Sequence, residues 1–320
     1  MNADFSVFDL GDFELQSGTV VPGLQLAYKT YGKLNAAADN VVVLPTFYTG
    51  SHMRNEGYFG PGRSIDPARH FVVSVNLFGN GISSSPSNTP APFDAANFPH
   101  ITLYDNIRAQ YQLLTEVLGV KRLALVTGWS MAGCQAFQWG AQYADFVKAI
   151  LPFCASAKTS EHNIVFLEGV KAALQADAVY ADGHYSEPPA KGLKAFGRVY
   201  AGWAFSQTFY REQMYRLQGF ATAEELLQDW ERDHLDWDAN DLLCMLWTWQ
   251  QGDISASDLY QYDFKAALNA ITADTIVIAC DDDLYFRPED NQLEIEHIIG
   301  SELRIYESPW GHCVASPGND

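Results

Sequence analysis

The sequence predicts an α/β chain: a mostly parallel central sheet with helices on both faces and one helical insertion. Three observations carry that reading. Short β-branched runs alternate with stretches of helical spacing, the pattern of a parallel sheet whose crossovers are helices. One of those runs enters a helix through Gly128-Trp129-Ser130-Met131-Ala132-Gly133. Five of the eight tryptophans (Trp203, Trp230, Trp237, Trp247 and Trp249) then fall in a single strand-free stretch.

Phe13-Glu14-Leu15 and Leu24 to Tyr31 alternate with period two, which predicts an antiparallel edge pair that ends at Gly32. Asn40 to Pro45 is a β-branched run suited to a strand buried on both sides, and it opens into a loop of small and aromatic residues, Thr46 to His52. His70 to Leu77 predicts a second buried strand. The segment from Phe78 to Pro90 is rich in Gly, Ser and Pro and reads as a long surface loop; without a P-loop lysine it is no phosphate cradle. Apolar residues recur at helical spacing from Thr102 to Leu118. Leu123 to Val126 follows as the strand before the serine, Cys134 to Tyr143 as the helix after it, and Val147 to Phe153 as the next strand. From Ser156 to Ala266 the pattern is helical, and the sheet resumes at Thr275 to Cys280 and closes with Leu303 to Tyr306. The expected division is therefore a core of residues 1–155 and 267–320 with a helical lid of residues 156–266.

A chain of 320 residues with 48% apolar content buries a large core as one enlarged domain, or as a domain with an insertion. Its net charge of −19 repels nucleic acid and anionic membrane surfaces, so neither is an expected partner. No apolar run approaches the ~18 residues of a membrane span, and Met1-Asn2-Ala3-Asp4 lacks the basic and apolar parts of a leader, which predicts a cytoplasmic protein. Cys134, Cys154, Cys244, Cys280 and Cys313 are scattered without C-x-x-C pairs, which predicts that most are buried thiols, with no disulfide frame and no metal site. No cofactor motif is present.

The strand-serine-helix turn is the nucleophile elbow pattern, in which small neighbours let the chain hold a serine in a strained, exposed position. Ala132 stands where the second glycine of G-x-S-x-G falls, with Gly133 one residue later. A plain strand-to-helix turn is the bland alternative. A serine hydroxyl needs an imidazole to take its proton, and the imidazole needs a carboxylate to fix its tautomer. Ser130, the cluster Asp281-Asp282-Asp283 and His312 supply these parts in the order Ser, acid, His, each just past a predicted strand. As alternatives the acidic cluster is a solvated turn, or a Ca²⁺ or Mg²⁺ site that lacks further spaced oxygens. Of the other histidines, taken as structural, His52 is the one to follow.

Ala27-Tyr28-Lys29-Thr30-Tyr31-Gly32, the elbow, Asp283-Leu284-Tyr285-Phe286-Arg287-Pro288 and Trp310-Gly311-His312 together resemble the homoserine O-acetyltransferase family of the α/β-hydrolase superfamily, and its hydrolase-like branch. The resemblance spans nearly the whole chain. It implies the α/β-hydrolase fold, a triad of Ser130, Asp283 and His312 with Asp281 as fallback acid, and an oxyanion hole from the backbone N–H groups of Met131 and Tyr48, with Phe47 the neighbouring choice. Two departures from the transferase pattern stand out: Thr46 replaces the His that usually begins the oxyanion loop, and Cys313 replaces the Asp that usually follows the catalytic His. The family's substrate-binding arginine falls near Arg198 without matching it.

These departures favour the hydrolase branch. The expected activity is hydrolysis of short-chain, chiefly acetyl, esters through an acyl-enzyme on Ser130, with a small-molecule ester as the partner and no cofactor. Homoserine acetylation from acetyl-CoA is the alternative, and a non-catalytic scaffold of the same fold is a third reading. The aromatic insertion predicts a narrow apolar pocket and a homodimer paired through the lid.

Overall fold

Residues 4–316 are described by the computed structural model. Met1 to Ala3, read above for the absence of a leader, lie outside the described residues. In chain order the strands are β1 (Ser6–Asp9), β2 (Phe13–Glu14), β3 (Val20–Val21), β4 (Gln25–Tyr31), β5 (Val41–Pro45), β6 (Phe71–Val75), β7 (Leu123–Trp129), β8 (Ala149–Phe153), β9 (Asp274–Cys280) and β10 (Glu302–Tyr306). The helices are α1 (His52–Asn55), α2 (Leu103–Gln112), α3 (Met131–Gln142), α4 (Glu161–Gln175), α5 (Ala190–Ala204), α6 (Gln207–Arg211), α7 (Ala223–Leu235), α8 (Ala239–Gln250), α9 (Phe264–Asn269) and α10 (Pro288–Ile295).

Eight strands form one sheet in the order β1-β4-β6-β5-β7-β8-β9-β10. From β6 to β10 every neighbouring pair is parallel, while β4 runs antiparallel to both β6 and β1. All five residues of β5 are buried, as expected for a strand covered on both faces, which explains its unbroken β-branched run. Capping residues fix where helices start. Thr102 and Asp105 form a reciprocal capping box on α2, and Asp238 accepts from the first free N–H groups of α8. One apolar cluster joins the sheet to α2 and α3 through Ile107, Phe137, Trp139 and Val277. A second, more aromatic cluster joins the loops at the strand ends to α4, α5 and α8 through Tyr48, Phe166, Phe196, Tyr200 and Trp249. Among the described residues no helix is long and apolar enough to cross a membrane.

Three local expectations are corrected. Phe13-Glu14 pairs with Val20-Val21 in a separate two-stranded sheet, because Gly18 at φ +83° closes a tight hairpin there; the antiparallel partner of β4 is instead Ser6–Asp9. The Phe78–Pro90 segment is largely inside: Phe78, Asn80, Ser83 and Ser85 are buried, with Asn80 and Ser83 side chains hydrogen-bonded to nearby backbone. Polar composition there serves internal hydrogen bonding rather than solvation. The helix after the serine begins at Met131, earlier than Cys134, since Ser130 alone absorbs the turn.

Two buried carboxyl groups tie segments together. Glu294 of α10 accepts from the backbone N–H groups of Ala157 (2.7 Å) and Lys158 (3.3 Å), and burial pushes its carboxyl up to about 8. Asp241 of α8 accepts from Ser87 N–H (2.9 Å) and Oγ–H (2.6 Å), and burial pushes it up to about 7. In each case the folded chain holds a proton that the unfolded chain has already released, so stability falls as pH rises towards the folded-state value. The buried rings of His52 and His234, and the His100 ring stacked on Trp247, are held below their usual value by desolvation and act oppositely, but only below about pH 6.5. Urea unfolding should therefore show a lower midpoint at pH 8 than at pH 6.5, and Glu294→Gln should flatten that difference.

Candidate active site

Ser130 sits between β7 and α3 with φ +60° and ψ −132°, a strained conformation for any residue with a side chain. Its N–H donates to the Phe153 carbonyl (3.0 Å), and its own carbonyl accepts from Gly133 (2.8 Å) and Cys134 (3.1 Å). The neighbours have to be small. A Cβ on Gly128 would lie 2.4 Å from the Ala132 Cβ, and one on Gly133 would lie 2.5 Å from the Ala155 Cβ. Ala132 is therefore tolerated where a second glycine is usual because Gly128 leaves room for its methyl group.

The structure brings Ser130, His312 and Asp283 into one hydrogen-bonded line, each just past the C-terminal end of β7, β10 and β9. His312 Nε2 lies 2.9 Å from Ser130 Oγ, and His312 Nδ1 lies 2.7 Å from Asp283 Oδ2. A carboxylate only accepts, so Nδ1 carries the proton and Nε2 is left to accept from the serine hydroxyl. The other carboxylate oxygen, Oδ1, accepts from the N–H groups of Tyr285 (2.8 Å) and Phe286 (3.2 Å), which hold the fully buried carboxylate in place. Trp129 Nε1–H donates to the His312 carbonyl (3.0 Å) and so ties the histidine loop to the elbow strand. Asp281, the fallback, is turned elsewhere: its Oδ1 accepts from Ser308 N–H (2.9 Å) and Asp282 N–H (2.9 Å).

Cys154, Asp283 and His312 offer donor atoms within 4.8 Å of one another. The Asp283–His312 contact of 2.7 Å is nevertheless shorter than the ~3.4 Å between two ligands of a tetrahedral zinc, so this pair is spaced to share a proton. Burial, with Asp283 nearby, pushes the Cys313 thiol up to about 12, so this position carries no charge at neutral pH.

A cavity of about 340 Å³ opens onto Ser130 and His312. Phe47, Tyr48 and Trp129 line it from the core, and Tyr200, Phe205 and Trp230 from the helices inserted between β8 and β9. Among the described residues the N–H groups of Tyr48 and Met131 have no acceptor. The Tyr48 ring stacks on Tyr200 (5.7 Å between centroids) and its hydroxyl donates to the Leu242 carbonyl (3.3 Å), which anchors the loop after β5 to the insertion. Phe47, the neighbouring choice, packs its ring against Trp129.

Charged residues without a sequence motif also line the cavity: Arg54 of α1, and Asp229 and Asp233 of α7. Their positions follow no local motif, and only the fold brings them together. Arg198 is not among the lining residues; it pairs with Glu224 and Glu231. His52 is buried at the start of α1, where its backbone N–H donates to Asn76 Oδ1 (3.1 Å), away from the cavity lining.

A serine-bearing elbow on a mostly parallel sheet, with a histidine and a carboxylate delivered by later strands, defines the α/β hydrolases. Residues 39–317 match the alpha/beta hydrolase fold family, and the chain belongs to it. It is 34% identical over 312 residues to an ethyl acetate hydrolase of Pseudomonas veronii, covering 96% of this chain and 89% of that protein. It is 32% identical over 316 residues to a homoserine O-acetyltransferase of Trichormus variabilis, covering 94% of this chain and 86% of that one. The solved structure of an acetylester hydrolase from Corynebacterium glutamicum superposes with a TM-score of 0.94 at 32% identity, covering 97% of this chain and 90% of that one.

The fit between Gly128 and Ala132 is testable by exchange. Gly128→Ala should destabilise the fold by about 1–3 kcal/mol through overpacking. Adding Ala132→Gly to that variant should recover part of the loss in a denaturation experiment.

Proposed function

We propose that the protein is a serine esterase acting on short-chain, chiefly acetyl, esters. The observation that carries this reading is the unbroken Ser130–His312–Asp283 line opening on a small cavity, lined by both aromatic and polar side chains, beside two N–H groups that among the described residues have no acceptor. The names of the esterase relatives agree with it.

In this mechanism Ser130 Oγ attacks the ester carbonyl carbon while His312 Nε2 takes the hydroxyl proton. Asp283 stabilises the imidazolium without accepting its proton. The carbonyl oxygen, now negative, receives hydrogen bonds from the N–H groups of Tyr48 and Met131, each such donor contributing about 3 kcal/mol to the transition state. Collapse breaks the bond to the leaving alcohol, which departs with the proton from His312 and leaves Ser130 acylated. Water then attacks the acyl-enzyme, with His312 again taking and returning the proton, and a short carboxylic acid is released. The cavity sets the acyl size: its volume suits a small ester, and the helices of 156–266 act as a lid over it.

Transfer to an amino-alcohol acceptor is the second reading, and Arg54, Asp229 and Asp233 on the cavity wall favour it, since they offer charges of both signs. The neutral Cys313 favours hydrolysis, because it leaves the place beside the histidine without a carboxylate for an ammonium group.

A chromogenic acetyl ester, and separately acetyl-CoA with L-homoserine, separate the two. The expected result is rapid ester cleavage with no homoserine-dependent CoA release; the reverse result assigns transfer. Ser130→Ala should lower ester cleavage by at least ~10³-fold, and Asp283→Asn by about 10⁴-fold through loss of the correct imidazole tautomer. Failure of an active-site serine probe to label Ser130 would leave the scaffold reading. Across acyl chains of increasing length, kcat/KM should fall beyond the shortest members.

A further inference from the structure

The cavity wall contains the reacting groups, but one buried side chain behind it links both halves of the oxyanion site. Gln135 lies one turn past Ser130 on α3 and is fully buried. Its Nε2 donates to the Thr46 carbonyl (2.9 Å), two residues before Tyr48, and to the Met131 carbonyl (3.3 Å). Its Oε1 accepts from Gln110 Nε2 (2.7 Å) on α2. Gln110 Oε1 in turn accepts from Trp139 Nε1 (3.0 Å).

The direction of this chain is chemically fixed. An indole N–H only donates, so Gln110 must present its oxygen to Trp139 and its amide nitrogen to Gln135. Gln135 must then accept with Oε1 and donate with Nε2, which is the orientation the Thr46 carbonyl requires. A flipped amide would set two oxygens against each other in a buried site, at the cost of an unmet polar pair. The Thr46 side chain is held as well, accepting from Leu77 N–H (2.9 Å), and Asn55 Nδ2 donates to the carbonyls of Leu44 (3.0 Å) and Pro45 (3.0 Å). These other contacts join the end of β5 to α1 and Thr46 to the segment after β6, whereas Gln135 joins Thr46 to the elbow helix.

We infer that Gln135 is a positioning residue that sets the separation and aim of the Tyr48 and Met131 N–H groups, with Gln110 and Trp139 fixing which way its amide faces. The inference rests on the proposed assignment of those two N–H groups as the oxyanion donors. Gln135 touches neither substrate nor the reacting atoms; it acts through Thr46 and Met131. Oxyanion donors gain their effect only at the oxygen's transition-state position, so a shift of the loop lowers kcat and leaves ground-state binding alone.

The test uses Gln135→Met, which keeps length and apolar bulk but loses the donor, and Gln110→Met, which keeps Gln135 but frees its amide to turn. Acetyl-ester turnover is measured with affinity for two probes: a trifluoromethyl ketone that forms a tetrahedral adduct on Ser130, and the matching plain ether that does not react. For Gln135→Met the expected result is a kcat about 10- to 100-fold lower with KM unchanged, trifluoromethyl ketone affinity reduced by a similar factor, and ether affinity preserved. Gln110→Met should show the same split, smaller in size, and stands in if Gln135→Met does not fold. Unchanged kcat in the folded variants, or parallel loss of affinity for both probes, would overturn the inference. Ser130→Ala distinguishes the two levels: full activity in that variant overturns the esterase reading itself, whereas loss there with unchanged Gln135→Met overturns only the positioning role.

Discussion

Everything at the site depends on the backbone of one residue being held where a side chain is rarely found. Ser130 at φ +60° turns its hydroxyl out of the sheet and presents the first N–H of α3 beside it. That geometry persists because the surroundings over-determine it: the carbonyl of Phe153 on the next strand holds the Ser130 N–H, the first turn of α3 holds its carbonyl, and Gly128 and Gly133 leave no Cβ to push it back. The parallel strands then deliver the remaining groups to the same edge. Because β9 and β10 run in the same direction as β7, the loops that follow them carry Asp283 and His312 to the serine.

Hydrogen-bond polarity does a second job across the site. The tautomer of His312 is set by a carboxylate that is itself pinned by two backbone N–H groups, so the hydrogen-bonded line has a fixed direction. Behind the loop after β5, the Trp139–Gln110–Gln135 chain has a direction for a comparable reason: it starts from a group that can only donate. In both cases a buried group of fixed character orients an ambiguous one, an imidazole in the first and two amides in the second. Preorganisation of this kind removes reorientation from the reaction step.

The parts legible in the sequence were those whose cause is local. β5 and β6 were readable because strands covered on both faces need continuous β-branched runs, and the elbow because the strained turn demands small residues around Ser130. Spacing alone leaves the three adjacent aspartates equivalent; in the structure Asp283 turns back to its own loop's N–H groups and to His312, whereas Asp281 turns to Ser308. Less was readable where the cause lies far along the chain. β1 is a mostly exposed strand whose partner begins at Gln25, and Phe78–Pro90 looks like a surface loop by composition because its serines and asparagines satisfy backbone groups inside. Gln135 carries no motif of its own role: the carbonyl it serves lies 89 residues away. Arg54, Asp229 and Asp233 are ordinary surface charges until α7 is placed over the loop after β5.

The chain order of these parts has a practical consequence. Ser130, Asp283 and His312, together with the loop that carries Tyr48, all lie outside residues 156–266, whereas Tyr200, Phe205, Asp229, Trp230 and Asp233 of the cavity wall lie within them. The cavity wall is thus assembled from two parts of the chain, one that also carries the hydrogen-bonded line and contributes Phe47, Arg54, Trp129 and Cys313 to the wall, and one that contributes wall alone. A change confined to residues 156–266 therefore alters part of that wall while leaving the Ser130–His312–Asp283 line its own supports, since the groups that hold it, Phe153, Tyr285 and Phe286 among them, all lie outside that stretch.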